Sequence, residues 1–102
     1  MIKFSPKGYF LLQFGRASEP GSLSTAPSDA LNIPHSLALV ENYDLICVAN
    51  REDEKIQCFT AGFAVHKEEE GEAAGKFVVQ VAHPQLSRVF AIHYAPTCKI
   101  KF

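Results

Sequence analysis

Apolar residues along this chain come in short bursts rather than in a helical rhythm. Residues 9–14 are aromatic and aliphatic, residues 36–40 are apolar after Pro34, and residues 44–49 hold Leu45, Ile46 and Val48. Residues 55–59 alternate, residues 77–82 and 89–94 are rich in Val, Phe and Ile, and residues 99–102 begin a further run. Runs of this length and composition predict strands. No stretch keeps a helical period over three turns.

The polar segments between the runs set the organisation. Residues 15–32 are rich in Ser, Pro, Gly and Ala and predict a long loop, of a length that usually carries function or motion. Residues 50–54 predict a charged turn. Residues 66–75, with Glu68, Glu69, Glu70 and Glu72, predict a solvated excursion rather than a metal site. A weak internal echo joins Ile2-Lys3-Phe4 and residues 9–14 to Ile56-Gln57-Cys58-Phe59 and residues 76–81. Each is a short strand, a turn and a second strand, with two more strands between the copies. That spacing suits a four-stranded propeller blade. The expected fold class is all-β, a partial β-propeller of about one and a half to two blades. Residues 1–14 would end one blade, 33–82 would form a full one, and 88–102 would start the next. So few blades cannot close a ring and would leave bare edges, so the chain is expected to be a piece of a larger protein.

Composition narrows the function classes. At 102 residues with 47% hydrophobic content, the chain is at most one domain with a modest core. A net charge of −1 gives no basic footprint for nucleic acid or an anionic membrane surface. No apolar run is long enough for a membrane span, and residues 1–6 show no apolar signal region.

The candidate chemistry gathers between residues 33 and 59. His35 stands at the mouth of one predicted strand and Arg51 at the end of the next. Cys47 and Cys58 flank the turn that carries the arginine, and a hairpin would bring them side by side. A rigid sheet presenting loop-end residues is a common way to build a site. Each residue also has a plainer reading. His35 alone is a loop-end histidine, since the chain has no His-x-His or Cys-x-x-Cys pattern. Arg51 alone is a solvated charge, and the two cysteines could be reduced core thiols. His66, His83 and His93 match no motif and read as surface or partly buried residues.

The string Pro34-His35-Ser36-Leu37-Ala38-Leu39-Val40, followed by Cys47-Val48-Ala49-Asn50-Arg51-Glu52 and Ile56-Gln57-Cys58-Phe59, resembles the lyase domain of the peptidylglycine alpha-amidating monooxygenase family. The resemblance runs from Ile2 to about Tyr94 and is sharp between Pro34 and Phe59. It implies a six-bladed propeller of NHL-type repeats. It implies a peptidyl-alpha-hydroxyglycine alpha-amidating lyase, which cleaves the N–Cα bond of a C-terminal hydroxyglycine to give a peptide amide and glyoxylate in peptide hormone maturation. It implies that His35 is one of three zinc histidines, that Arg51 is a catalytic residue, and that Cys47 and Cys58 are bridged. A guanidinium at that place could fork onto a substrate carboxylate or stabilise developing negative charge. The substrates would be C-terminally hydroxylated, glycine-extended peptides, and the remaining blades would be structural partners. The other zinc histidines, the calcium ligands and the catalytic tyrosine would lie outside this chain, since Tyr43 and Tyr94 do not match the tyrosine motif. One imidazole does not hold a catalytic zinc, which takes about three protein ligands, so the segment alone is expected to be inactive.

Two departures qualify the resemblance. The family usually shows Asp where this chain has Asn50, and if that carboxylate orients the arginine, its loss bears on activity. A Cys47–Cys58 bridge implies an oxidising, secretory or extracellular compartment and leaves Cys98 over, yet no signal region is visible. Truncation would reconcile the two. Two alternatives stand beside the lyase: a non-catalytic NHL-repeat binding module, or a degenerate truncated product. A generic repeat would need none of His35, Arg51 and the cysteine pair.

Overall fold

The computed structural model describes residues 1–18, 29–62, 74–83, 85–96 and 99–101. Strands β1 (Ile2–Phe4) and β2 (Phe10–Gln13) form an antiparallel pair. The short strands β3 (Arg16–Ala17) and β4 (Ala30–Leu31) pair in parallel. Strands β5 (Pro34–Val40), β6 (Leu45–Asn50), β7 (Lys55–Thr60) and β8 (Phe77–Ala82) then make one four-stranded antiparallel sheet in sequence order. Strands β9 (His93–Ala95) and β10 (Lys99–Lys101) form a last antiparallel pair. The one helical feature among the described residues is a 3-10 turn at Glu41–Tyr43. The chain is therefore all-β, and the four-stranded meander is the arrangement expected of a propeller blade.

The two central strands are buried on both faces, because alternate residues of β6 and β7 feed two separate cores. Ala38, Val40, Cys47, Ala49, Ile56 and Cys58 join Val89 and Ile92 on one side. Val48 and Phe59 join Leu31 on the other, with Met1, Phe14, Ile46 and Phe77 packed around them. The period of two along each strand places one set toward the 86–94 segment and the other toward the β1–β2 side. The rings of Phe14 and Phe77 both lean on Phe59, at 5.4 and 6.0 Å between centroids. The sheet is thus the middle layer of three.

Two tight turns connect β5 to β6 and β6 to β7. Residues 41–44 close through the Asp44 N–H donating to Glu41 O at 3.2 Å, with Asp44 in the left-handed region. Residues 51–54 make a four-residue loop closed by Glu54 N–H to Arg51 O at 3.2 Å, with Glu54 also left-handed at φ 55°. A four-residue hairpin loop of this kind needs one residue in that region to return the chain.

One predicted strand is different in the structure. Residues 89–94 do not form a single strand; the strand runs His93–Ala95. The segment before it is recruited by β5 instead of by a sheet ladder. The Phe90 carbonyl accepts from His35, and the Ile92 N–H donates to Ser36 Oγ at 3.4 Å. Val89 and Ile92 turn into the core. Most of the 15–32 loop, the acidic 68–72 run, His66 and Cys98 lie outside the described residues.

Candidate functional site

His35 owes its direction to an irregularity in β5. Pro34 pairs with Asn50 and Ser36 with Ala49, so His35 is an extra residue at a shift in register. A bulge of this kind re-aims a side chain and often sits beside a site. The residue before Pro34 adds to it. Ile33 has φ 57°, a conformation that costs a β-branched residue on the order of 1–3 kcal/mol and persists only where its surroundings enforce it. Those surroundings are visible. Asn32 N–H donates to Asn50 Oδ1 at 2.8 Å, and Glu52 N–H donates to Asn32 O at 3.1 Å.

The His35 ring meets Phe90 twice. Nδ1 lies 2.6 Å from the Phe90 carbonyl oxygen, and the two rings stand edge to face at 5.2 Å. A carbonyl oxygen can only accept, so Nδ1 carries the proton. The neutral ring therefore keeps its lone pair on Nε2. The side chain is exposed.

Arg51 meets the same residue. Its Cζ lies 5.5 Å from the centroid of the Phe90 ring, within the range of a cation–π contact. Its Nε donates to Glu52 Oε1 at 3.0 Å. The second oxygen of Glu52 takes Arg88 at 3.3 Å. One carboxylate thus holds two guanidinium groups at one end of the sheet. His35 and Arg51, picked out together in the sequence, face one constellation whose common member is Phe90.

Beneath them the cysteines are joined. Cys47 and Cys58 are directly opposed across β6 and β7 and form a disulfide, with Cα atoms 4.1 Å apart. That is closer than the 4.4 Å at which the usual disulfide range starts. It matches a non-hydrogen-bonded antiparallel pair, whose Cα atoms approach to about 4.5 Å. The bridge is buried in the core, four residues before Arg51.

Asn50 does not orient Arg51. It is fully buried, and its amide nitrogen faces Ala30 O at 3.2 Å, Asp53 Oδ2 at 3.0 Å and Gln57 Oε1 at 2.6 Å. Gln57 Nε2 also donates to Ala30 O at 3.0 Å, and Ser18 Oγ donates to Asp53 Oδ2 at 3.0 Å. Asn50 is the centre of a buried polar knot that ties the 30–32 segment to the β6–β7 turn. A carboxylate that steers the arginine is present, but it is Glu52.

Of the other sequence candidates, His83 follows Ala82, which pairs with Lys55, so it lies at the same end of the sheet; its ring caps a turn there by accepting from Gln85 N–H at 3.1 Å. His93 is exposed on β9. Tyr94 OH accepts from Asn42 Nδ2 at 3.4 Å, and Tyr43 is exposed. Among the described residues no three His, Cys, Asp or Glu side chains converge as a metal set. Phe90, Glu52 and Arg88 carried no signal of their own. Glu52 was visible only as the residue after Arg51 in the motif.

No family profile matches the chain. Among curated proteins, it is 40% identical over 97 residues to a peptidylglycine alpha-amidating monooxygenase of Rattus norvegicus, which covers 94% of this chain and 8% of that protein. It is 37% identical over 97 residues to peptidyl-glycine alpha-amidating monooxygenase B of Xenopus laevis, covering 94% of this chain and 10% of that protein. It is 34% identical over 99 residues to peptidyl-alpha-hydroxyglycine alpha-amidating lyase 1 of Drosophila melanogaster, covering 94% of this chain and 16% of that protein. Over the matched residues, the chain is similar to amidating monooxygenases and amidating lyases. It spans between 8% and 16% of the length of these three relatives. Proteins named for the lyase alone also match it. The part of the family it resembles is therefore the lyase.

Proposed function

We propose that this chain supplies one wall of the active site of a peptidyl-alpha-hydroxyglycine alpha-amidating lyase. The reaction would cleave the N–Cα bond of a C-terminal hydroxyglycine and release a peptide amide and glyoxylate. The observation that carries the reading is the meeting of His35 and Arg51 on Phe90 at one end of the four-stranded sheet. A repeat that only binds a partner has no need of a histidine with a directed lone pair beside a clamped arginine.

The donor chemistry fits a zinc ion in part. His35 is exposed, and with Nδ1–H held by a backbone carbonyl its Nε2 is the free donor, which is the usual arrangement for a ligating histidine. One imidazole is a third of a catalytic zinc set, so histidines from other blades would complete it. Zinc supplies a Lewis acid that polarises a bound hydroxyl. Arg51, held by its Nε edge, presents the rest of its planar fork to a carboxylate, the group that a hydroxyglycine carries at its end. The isolated 102-residue chain would bind zinc weakly and be inactive. On this reading residues 33–82 are one blade, with 1–14 and 88–102 belonging to its neighbours. The buried disulfide supports maturation in an oxidising compartment such as the secretory pathway. No helix among the described residues is long and apolar enough to cross a membrane.

The test is a segment exchange. This chain replaces the homologous 97 residues of the rat enzyme, and glyoxylate release from an α-hydroxyglycine peptide is measured together with bound zinc. Turnover that falls with zinc content in a His35→Ala exchange protein is the expected result. A folded, zinc-loaded exchange protein that releases no glyoxylate would refute the proposal.

A further inference from the structure

We infer that Phe90 is a positioning residue that joins His35 and Arg51 into a single unit, through its backbone for one and its ring for the other. The inference rests on the lyase reading for its functional meaning but on geometry for its content.

Three contacts converge on this residue. Its carbonyl oxygen takes the His35 Nδ1 proton at 2.6 Å. Its ring packs edge to face on the imidazole at 5.2 Å. The same ring lies 5.5 Å from the Arg51 guanidinium carbon. The backbone contact fixes the tautomer and leaves Nε2 as the free donor. The ring contacts fix where the imidazole and the guanidinium sit relative to each other. Loss of either would leave the residues in place but misdirected, and positioning errors of about 1 Å cost rate even where no reacting group is removed.

The surroundings explain why Phe90 is where it is. Val89 and Ile92 are buried and anchor the segment on both sides. Ile92 N–H is held by Ser36 Oγ, one residue beyond His35. Phe90 itself is half exposed, too open to act mainly as a core residue. Its ring is held out from an anchored segment toward the two functional side chains. Glu52 completes the seat by gripping the Nε edge of Arg51 with one oxygen and Arg88 with the other. Arg51 is thereby pinned between a carboxylate and an aromatic face.

The backbone and ring roles separate experimentally, because a substitution at position 90 removes the ring and keeps the carbonyl. In the 15N-labelled 102-residue chain, long-range 1H–15N correlations above the imidazole titration should show His35 as the Nδ1–H tautomer, and Phe90→Leu should leave that pattern unchanged. The Arg51 Nε–H resonance should lose its ring-current shift in Phe90→Leu and keep it in Phe90→Tyr. In the segment-exchange enzyme, Phe90→Leu should raise KM for an α-hydroxyglycine peptide about fivefold, the size of a cation–π contact of roughly 1 kcal/mol. Zinc content should not change, and Phe90→Tyr should restore KM. An Nε2–H tautomer at His35, or an Arg51 signal indifferent to loss of the ring, overturns the inference. Both of those readings need no turnover. An exchange enzyme silent with Phe90 intact refutes the lyase reading instead, and the spectra then decide the positioning role by themselves.

Discussion

Replacing Asn50 by Asp tests whether this position is a structural knot or an active-site residue. The resemblance alone makes the change harmless or beneficial, because relatives usually carry Asp before the arginine. The structure predicts damage. The amide nitrogen faces three oxygens, from Ala30, Asp53 and Gln57, and its two N–H bonds can serve two of them at once. An oxygen in its place removes both donors from a site with no exposure to water. Each unsatisfied buried partner costs on the order of 1–3 kcal/mol. A second carboxylate 3.0 Å from that of Asp53 adds repulsion, relieved when one of the pair takes a proton. That proton returns one hydrogen bond, so the net loss should be about 3 kcal/mol at pH 7. With an m-value of roughly 1.5 kcal/mol/M, the urea midpoint should fall by on the order of 2 M. The sign with pH follows from the new carboxyl, whose folded pKa is raised above its unfolded value of about 3.9 by burial and by Asp53. The deficit is therefore smallest near pH 4 and grows as pH rises through the folded value. Circular dichroism in urea at both pH values is the assay. The exchanged pair, Asn50→Asp with Asp53→Asn, restores one donor facing one acceptor and should recover most of the loss. A single variant as stable as the parent chain at pH 7 refutes the reasoning.

The remaining predictions concern the turn, the bridge and the two functional side chains. Glu54→Gly should stabilise the chain by about 0.5–1 kcal/mol, since relief of a left-handed residue worth about 1–2 kcal/mol is partly offset by glycine's entropy; a lower melting temperature would count against it. Cys47→Ala with Cys58→Ala should cost about 3 kcal/mol, the closure term for a loop this short, and a thiol count under denaturing conditions that finds both cysteines free in oxidised material would remove the premise. In the segment-exchange enzyme, Arg51→Ala should keep zinc and lower turnover on the order of 10²–10³-fold. His35→Ala in the same enzyme should lower zinc and turnover together. Full activity in the Arg51 variant would show that this residue is not part of the chemistry.

How much of this was legible beforehand differs between the sheet and the site. The four central strands were readable because short β-rich runs alternate with turn signals, and local composition decides such elements. The segment at 89–94 misled for a physical reason. Val89, Phe90 and Ile92 have strand composition because they pack a core, and what withdraws them from a ladder is the Ser36 hydroxyl and the His35 ring, more than fifty residues away. At the site, His35 and Arg51 could be picked out as residues, but not their common neighbour. Nothing in the run Val89-Phe90-Ala91 marks a ring shared by a histidine and an arginine. Asn50 is the converse case. Its place in the motif left open whether it serves Arg51, and it is the last residue of β6 while Arg51 already stands in the turn. Asn50 points with Gln57 toward the 30–32 segment, and Arg51 points toward Phe90. Adjacent positions in a strand-end motif therefore serve different parts of the molecule. One secures the strained approach to His35 through Asn32 and Ile33, and the other faces the site that this approach builds.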